Sequence, residues 1–198
     1  FDTGQTGDFI KNAEKLGKDL ETLDYMIISH GHYDHSGGFK KLVSGLNKYP
    51  KLIVGEEFFY PKYKKIDEKT YKYIGNSFDE KFILDHNIPL KKVTEDILYI
   101  DGRIMVFYHF FRNNDFEKRN EQFYIKRDNL TIHDDFDDEI VLGIVTDRGL
   151  VVVTGCSHVG IFKILSTITG KTGMPIYAVI GGTQLGDADE RRIEKTLD

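Results

Sequence analysis

The spacing of apolar positions changes several times along the chain, and each change marks an expected element. Over 8–20 the residues Phe9, Ile10, Ala13, Leu16 and Leu20 recur at helical spacing, which predicts an amphipathic helix. The apolar run at 23–29 is too short for a typical helix and predicts a buried strand. Gly37 and Gly38 open a second helix over 39–48, stopped by Pro50, and 51–54 reads as another strand. Over 56–95 no steady period survives. That stretch is rich in Lys and Tyr (Tyr60, Tyr63, Tyr71, Tyr73) and reads as a long excursion from the core, a flap. Strand alternation returns at 103–111, 139–146 and 149–154, the last two joined by the hairpin signal Asp147-Arg148-Gly149. A helical stripe covers 159–168, a strand follows at 174–180, and 187–197 reads as a charged helix. Strands and helices interleave, yet hairpins are present. The pattern therefore predicts mixed α/β layers with helices outside rather than a purely parallel sheet.

The chain has 198 residues, enough for one sizeable core, and a single domain over 1–198 is expected. No apolar run approaches the roughly 18 residues of a membrane helix, so no membrane partner is expected. A net charge of -5 argues against nucleic acid as the main partner, because phosphate backbones need a basic surface. The single cysteine, Cys156, leaves no internal disulfide framework and fits a reducing compartment, so a cytoplasmic location is expected. The oligomeric state is left open.

Histidine placement changes the picture most. Of seven histidines, three fall within the six positions His30-Gly31-His32-Tyr33-Asp34-His35, directly after an apolar run. In an extended segment residues two apart point the same way, so His30 and His32 face one side. Two imidazoles converging on one ion at about 2 Å is ordinary zinc chemistry. Asp34 and His35 follow where the chain turns into the next helix, so their side chains diverge and suit a second ion. Carboxylate plus imidazole fits Zn, Mn or Fe(II) better than a thiolate set would. Such a site needs a ligand from a distant strand. His158, in Thr154-Gly155-Cys156-Ser157-His158, ends the apolar strand Leu150-Val151-Val152-Val153 just before a helix and is the best candidate. His86, His109 and His133 lack such settings and read as loop or strand-surface residues. Cys156 reads as a small buried residue. Arg112, Lys118 and Arg119 read either as solvated charges or as groups that meet an anion.

The segment HGHYDH closely resembles the H-x-H-x-D-H motif of the metallo-β-lactamase superfamily. TGCSHVGI (154–161) and IGGTQL (180–185) resemble one subgroup, the metal-dependent hydrolases similar to dihydropterin–ribofuranosylaminobenzene 5'-phosphate synthases of methanopterin biosynthesis. FDTGQTGDFIKNAEKLG and DDFDDEIVLGIVTDRGLVVVTGCSH fit the same pattern. The resemblance implies an αββα sandwich with the metals at one edge, here truncated at both ends, with the opening strands and the family's final metal-binding histidine outside this sequence. It implies two divalent ions, Zn first, with Mn or Fe as the other fits. His30, His32 and His158 would hold the first ion, and Asp34 and His35 would begin the second site. Asp2 would orient a ligand from behind, a role that the residues alone leave level with a simple turn. Gln184 stands where family members commonly carry His, and Gln is a poor metal ligand.

The implied reaction is metal-dependent hydrolysis, or a related transfer, on a phosphate-bearing small molecule, possible pterin-like compounds included. Asp34 would orient the attacking water or take its proton. In the synthase form a pterin diphosphate would join an aromatic amine with loss of diphosphate. The Tyr- and Lys-rich excursion reads either as a solvated loop with buried rings, the reading preferred on residues alone, or as a surface that stacks the flat substrate and meets its phosphate. The rival is a non-catalytic or degenerate metal-binding member of the same fold, which Gln184 favours slightly. A di-iron electron-transfer protein usually carries Glu where His32 stands, which argues against that form, and the acidic balance argues against nucleic-acid processing.

Overall fold

The computed structural model describes residues 1–186 and 188–197. Its helices are α1 (Phe9–Lys15), α2 (Tyr33–Ser36), α3 (Phe39–Ser44), α4 (Glu80–Asp85), α5 (Ile161–Thr172) and α6 (Glu190–Leu197). The first six strands are β1 (Tyr25–Ile27), β2 (Lys51–Gly55), β3 (Lys62–Lys65), β4 (Tyr71–Tyr73), β5 (Leu90–Val93) and β6 (Ile97–Tyr99). The others are β7 (Ile104–Phe107), β8 (Phe123–Arg127), β9 (Leu130–His133), β10 (Val141–Thr146), β11 (Gly149–Val153) and β12 (Ile176–Ile180).

Three sheets result: a parallel sheet β1-β2-β5, a mixed sheet β12-β11-β10-β7-β6, and an antiparallel sheet β4-β3-β8-β9. Strand alternation sorts the core into layers. Met26, Ile28, Leu52 and Val54 point from the parallel sheet to Phe39, Leu42 and Val43 of α3 and Ile83 of α4. Their neighbours Ile27, Ile53 and Val93 point the other way and meet Val106, Tyr108 and Ile140. On the mixed sheet Met105, Phe107, Val141, Leu150 and Val152 face Ile164 and Ile168 of α5. Helices, sheet, sheet and helix thus stack as an αββα sandwich. Each fully buried Ile, Leu, Val or Phe contributes roughly 1.5–3 kcal/mol, so this alternation fixes the register firmly.

Element ends follow local chemistry. α1 stops before the predicted residue 20 because Gly17 takes the left-handed conformation, φ 63°, and ends the helix. Asp79 caps α4 by accepting the Phe82 N–H at 2.8 Å. β10 and β11 form the predicted hairpin, with Thr146 paired to Gly149. The last helix begins at Glu190, and residue 187, its expected start, lies outside the described residues. Among the described residues no helix is long and apolar enough to cross a membrane.

The 56–95 stretch divides between two bodies of structure. Phe58, Phe78, Ile83 and Ile88 enter the core beside α3, and β5 completes the parallel sheet. Only β3 and β4 leave it, pairing with β8 and β9. The period vanished from the sequence because short elements of different type succeed one another there. Register places Tyr63, Tyr73, Tyr124 and His133 on one face of the antiparallel sheet and Lys62, Phe123 and Ile125 on the other. Phe123 lies against His32 and His158, so the tyrosines turn away from the imidazoles. The expected stacking of a substrate on those rings beside the metals therefore has no support.

Candidate metal centre

After β1 the backbone stays extended through Ile28-Ser29-His30-Gly31-His32, then turns into α2. His30 and His32 consequently share a side, with ring centroids 4.6 Å apart. His158, at the β11–α5 junction, brings its ring centroid to 4.9 Å from each. One ring nitrogen from each of the three lies within 4.8 Å of the others. The Nε2 atoms of all three are buried without a hydrogen-bond partner among the described residues. An unsatisfied buried polar atom costs about 1–3 kcal/mol, so three converging on one point fit a shared cation far better than a void. Burial, with mutual repulsion added, pushes the pKa of His30 and His158 well below 6.5, and burial followed by the Lys62 charge does so for His32. Neutral imidazole is the form that binds metal.

The lone pairs are oriented from behind. His30 Nδ1 lies 2.9 Å from Ser29 Oγ, and Ser29 Oγ donates to Asp2 Oδ2 at 3.0 Å. With Oγ donating onward, Nδ1–H is the donor to it, which leaves the Nε2 lone pair free. Asp2 also accepts the Ser29 N–H at 2.7 Å and pairs with His35 Nδ1 at 2.7 Å. Asp2 is therefore an orienting carboxylate as well as a turn residue.

His35 Nε2 points to Cys156 Sγ at 3.1 Å, and His30, His35 and Cys156 form a second group of metal-ligating type. Burial opposes a charge on His35, but Asp2 and Cys156 outweigh it and raise its pKa to about 10. Asp34 stays outside both groups: its carboxylate is half exposed, 3.7 Å from His35 Nε2. Cys156, which the sequence reads as a small buried residue, is the third member of the second group. Its contact spans 121 positions, so no local pattern could reveal it. His86, His109 and His133 stand apart, held respectively by the Phe82 carbonyl, Asp96 and a stack on Tyr124.

Three further groups went unread in the sequence. Lys62 is buried, and its Nζ donates to Asp134 and Asp138. Burial disfavours the ammonium, but the two carboxylates prevail and shift its pKa upward. Glu139, also buried, accepts the His158 and Val159 N–H groups at 3.0 and 2.8 Å, and burial raises its pKa to about 7 against those donors. Glu117 accepts the Phe162 and Lys163 N–H groups at 2.8 and 2.9 Å, filling the start of α5. A signal existed in the acidic run 134–139. Its burial alternates, with Asp134, Phe136 and Asp138 inside and Asp135 and Asp137 outside. The outer pair holds Arg119 and Arg112 at 3.0 and 2.7 Å, which engages two of the three cations considered for an anion. Lys118 instead lines a cavity of about 450 Å³ with His158, Thr183, Gln184 and Arg192. Neither Lys118 nor Arg192 has an ion-pair partner among the described residues, and Arg192 Nε is buried without a hydrogen bond there.

Sandwich, loop-borne imidazoles and edge cavity define a metallo-beta-lactamase-type protein, and the family's sequence model matches residues 1–162; the chain belongs to the metallo-beta-lactamase superfamily. It is similar to the 7,8-dihydropterin-6-methyl-4-(beta-D-ribofuranosyl)-aminobenzene-5'-phosphate synthase of Methanocaldococcus jannaschii. The identity is 29% over 215 residues, covering 100% of this chain and 68% of that protein. Tm1679, a metal-dependent hydrolase of the beta-lactamase superfamily, superposes with a TM-score of 0.84 at 31% identity, covering 100% of this chain and 70% of that one. A quorum-quenching N-acyl homoserine lactone lactonase shares the fold alone, with a TM-score of 0.51 at 15% identity over 94% of this chain and 75% of that one.

Proposed function

We propose that this chain is a metal-dependent hydrolase, or a related transferase, acting on a phosphate-bearing small molecule. His30, His32 and His158 would hold one divalent ion, Zn by preference. The observation that carries this reading is the convergence of three buried, unpartnered Nε2 atoms beside a cavity lined by Lys118 and Arg192. A divalent ion held by these three residues would supply Lewis acidity toward a phosphoryl oxygen and would lower the pKa of water from 15.7 to about 7.

The protein's own groups supply the rest. Lys118 and Arg192 meet the anionic oxygens of the substrate. Asp34 Oδ2, at the rim, takes the proton of a water entering the site, in keeping with its half-exposed position. His35 and Cys156, with Asp34 beside them, would form the set for a second ion, which on binding would have to displace the proton that Asp2 and Cys156 favour on His35. The Methanocaldococcus jannaschii relative is named for a dihydropterin-bearing ribofuranosyl-aminobenzene 5'-phosphate, which supports a phosphate-bearing molecule with an aromatic or pterin-like part as the substrate class.

Bis-p-nitrophenyl phosphate tests the reading. The Zn-loaded protein is expected to cleave it, to lose the rate on chelation, and to recover it when Zn(II) returns. Stoichiometric Zn with no turnover of this or monoester substrates would favour the non-catalytic alternative. Arg192→Ala and Lys118→Ala are each expected to raise KM for p-nitrophenyl phosphate about tenfold or more, with kcat little changed, because a hydrogen bond to a charged group is worth about 1.5–3 kcal/mol. Unchanged KM in both variants would remove these side chains from the substrate site.

A further inference from the structure

Lys62 lies on β3, 97 positions before Val159 is reached and far in sequence from every imidazole of the centre, yet only 1% of it is exposed. Its Nζ donates to Asp138 Oδ1 at 2.9 Å and to Asp134 Oδ2 at 2.8 Å. The second oxygen of each carboxylate is also engaged. Asp138 Oδ2 accepts the Gly31 N–H at 2.7 Å, and Gly31 is the peptide between His30 and His32. Asp134 Oδ1 accepts the Phe136 N–H at 2.8 Å. Phe136 in turn stacks flat on His158, with centroids 4.1 Å apart and planes at 11°. One ammonium is thus linked through one carboxylate to the segment bearing two imidazoles and through the other to the ring backing the third. The aliphatic stem also passes close to Gly31, where an added Cβ would lie 3.1 Å from Lys62 Cε.

A buried ion network is a poor source of net stability, because desolvation costs several kcal/mol per ion and an apolar replacement often does as well. Its geometry calls for another account. We propose that Lys62 is a positioning residue of the metal centre: through Asp138 and Asp134 it fixes the Gly31 peptide and the Phe136 ring, and so sets the convergence of His30, His32 and His158. This rests on the reading that those three histidines hold a divalent ion. It makes the antiparallel sheet, through β3, a structural part of the centre.

The test is Co(II) titration of the whole chain, read by visible absorption and by competition with a chelator. Lys62→Met and Asp138→Asn are each expected to weaken Co(II) binding about 10- to 100-fold, as loss of the groups behind metal ligands does, and to change the band positions or intensities. Circular dichroism of the metal-free variants checks that they fold. Should Lys62→Met fail to fold, Asp138→Asn decides, because it keeps the Lys62–Asp134 pair while altering the group that holds Gly31. Folded variants with wild-type Co(II) affinity and spectrum would overturn the proposal, even if less stable to denaturant, since a merely structural ion network predicts that outcome. A wild-type chain that takes up no Co(II) would overturn the metal reading itself, and this inference with it.

Discussion

Replacing His30 with alanine is expected to empty the three-imidazole site and to lower turnover of bis-p-nitrophenyl phosphate by about 10³-fold, the loss that several kcal/mol of metal-derived stabilisation implies. His30 is the hub of the cluster. Its ring lies 4.6 Å from His32, 4.3 Å from His35 and 4.9 Å from His158, and it belongs to both groups of metal-ligating type. Two imidazoles left at the first site hold an ion far less firmly than three. The fold is expected to survive, because the sheet cores do not depend on this ring and the substitution removes a buried nitrogen that has no partner of its own. Metal content by elemental analysis and the initial rate are the measurements. A variant that keeps its metal and more than a tenth of the rate would refute the assignment.

The second large effect is expected at Gly31. A Cβ there would come within 2.5 Å of the Phe58 carbonyl oxygen, with Lys62 Cε at 3.1 Å and Asn76 Nδ2 at 3.2 Å. The nearest of these is main chain and cannot swing aside. Phe58 is fully buried among Phe59 and Phe78, so the clash spreads into the helix-side core. Overpacking of this kind costs typically 1–3 kcal/mol, and the upper end, about 3 kcal/mol, is expected for Gly31→Ala. Because Gly31 joins His30 to His32, a shift of its peptide also spoils their convergence. Urea unfolding of the metal-free protein and chelator competition measure the two consequences separately. A loss below about 0.5 kcal/mol with intact metal affinity would show that the loop has room to give.

The layers of the sandwich were legible because each depends on short-range alternation. Ile27 and Ile53 differ in facing from Met26, Ile28, Leu52 and Val54 as period two requires, and Asp147-Arg148 makes the hairpin turn it suggests. The three-histidine set was legible for a related reason: two members sit at strand spacing, and the third ends an apolar strand. What escaped was everything that joins distant stretches. Lys62 meets Asp134 across 72 positions and Gly31 meets Asp138 across 107, so neither pair leaves a local trace. Cys156 was read as packing because a lone cysteine at a strand end carries no sign of the imidazole it faces. Composition left two readings of the tyrosines of 56–95 open because it says nothing about facing, and only register shows which side of a sheet they occupy.

The carboxylate of Glu117 has a consequence for ligand choice. It already satisfies the amides of Phe162 and Lys163, so the positive end of α5 is closed to an incoming phosphate. On the proposed reading, anion recognition next to His158 would then fall to long, adjustable side chains instead of to rigid main-chain dipoles. A pocket charged in that way would tolerate anions of differing size and shape, and exchange of one cation would retune its selectivity while the helix behind it stays as it is.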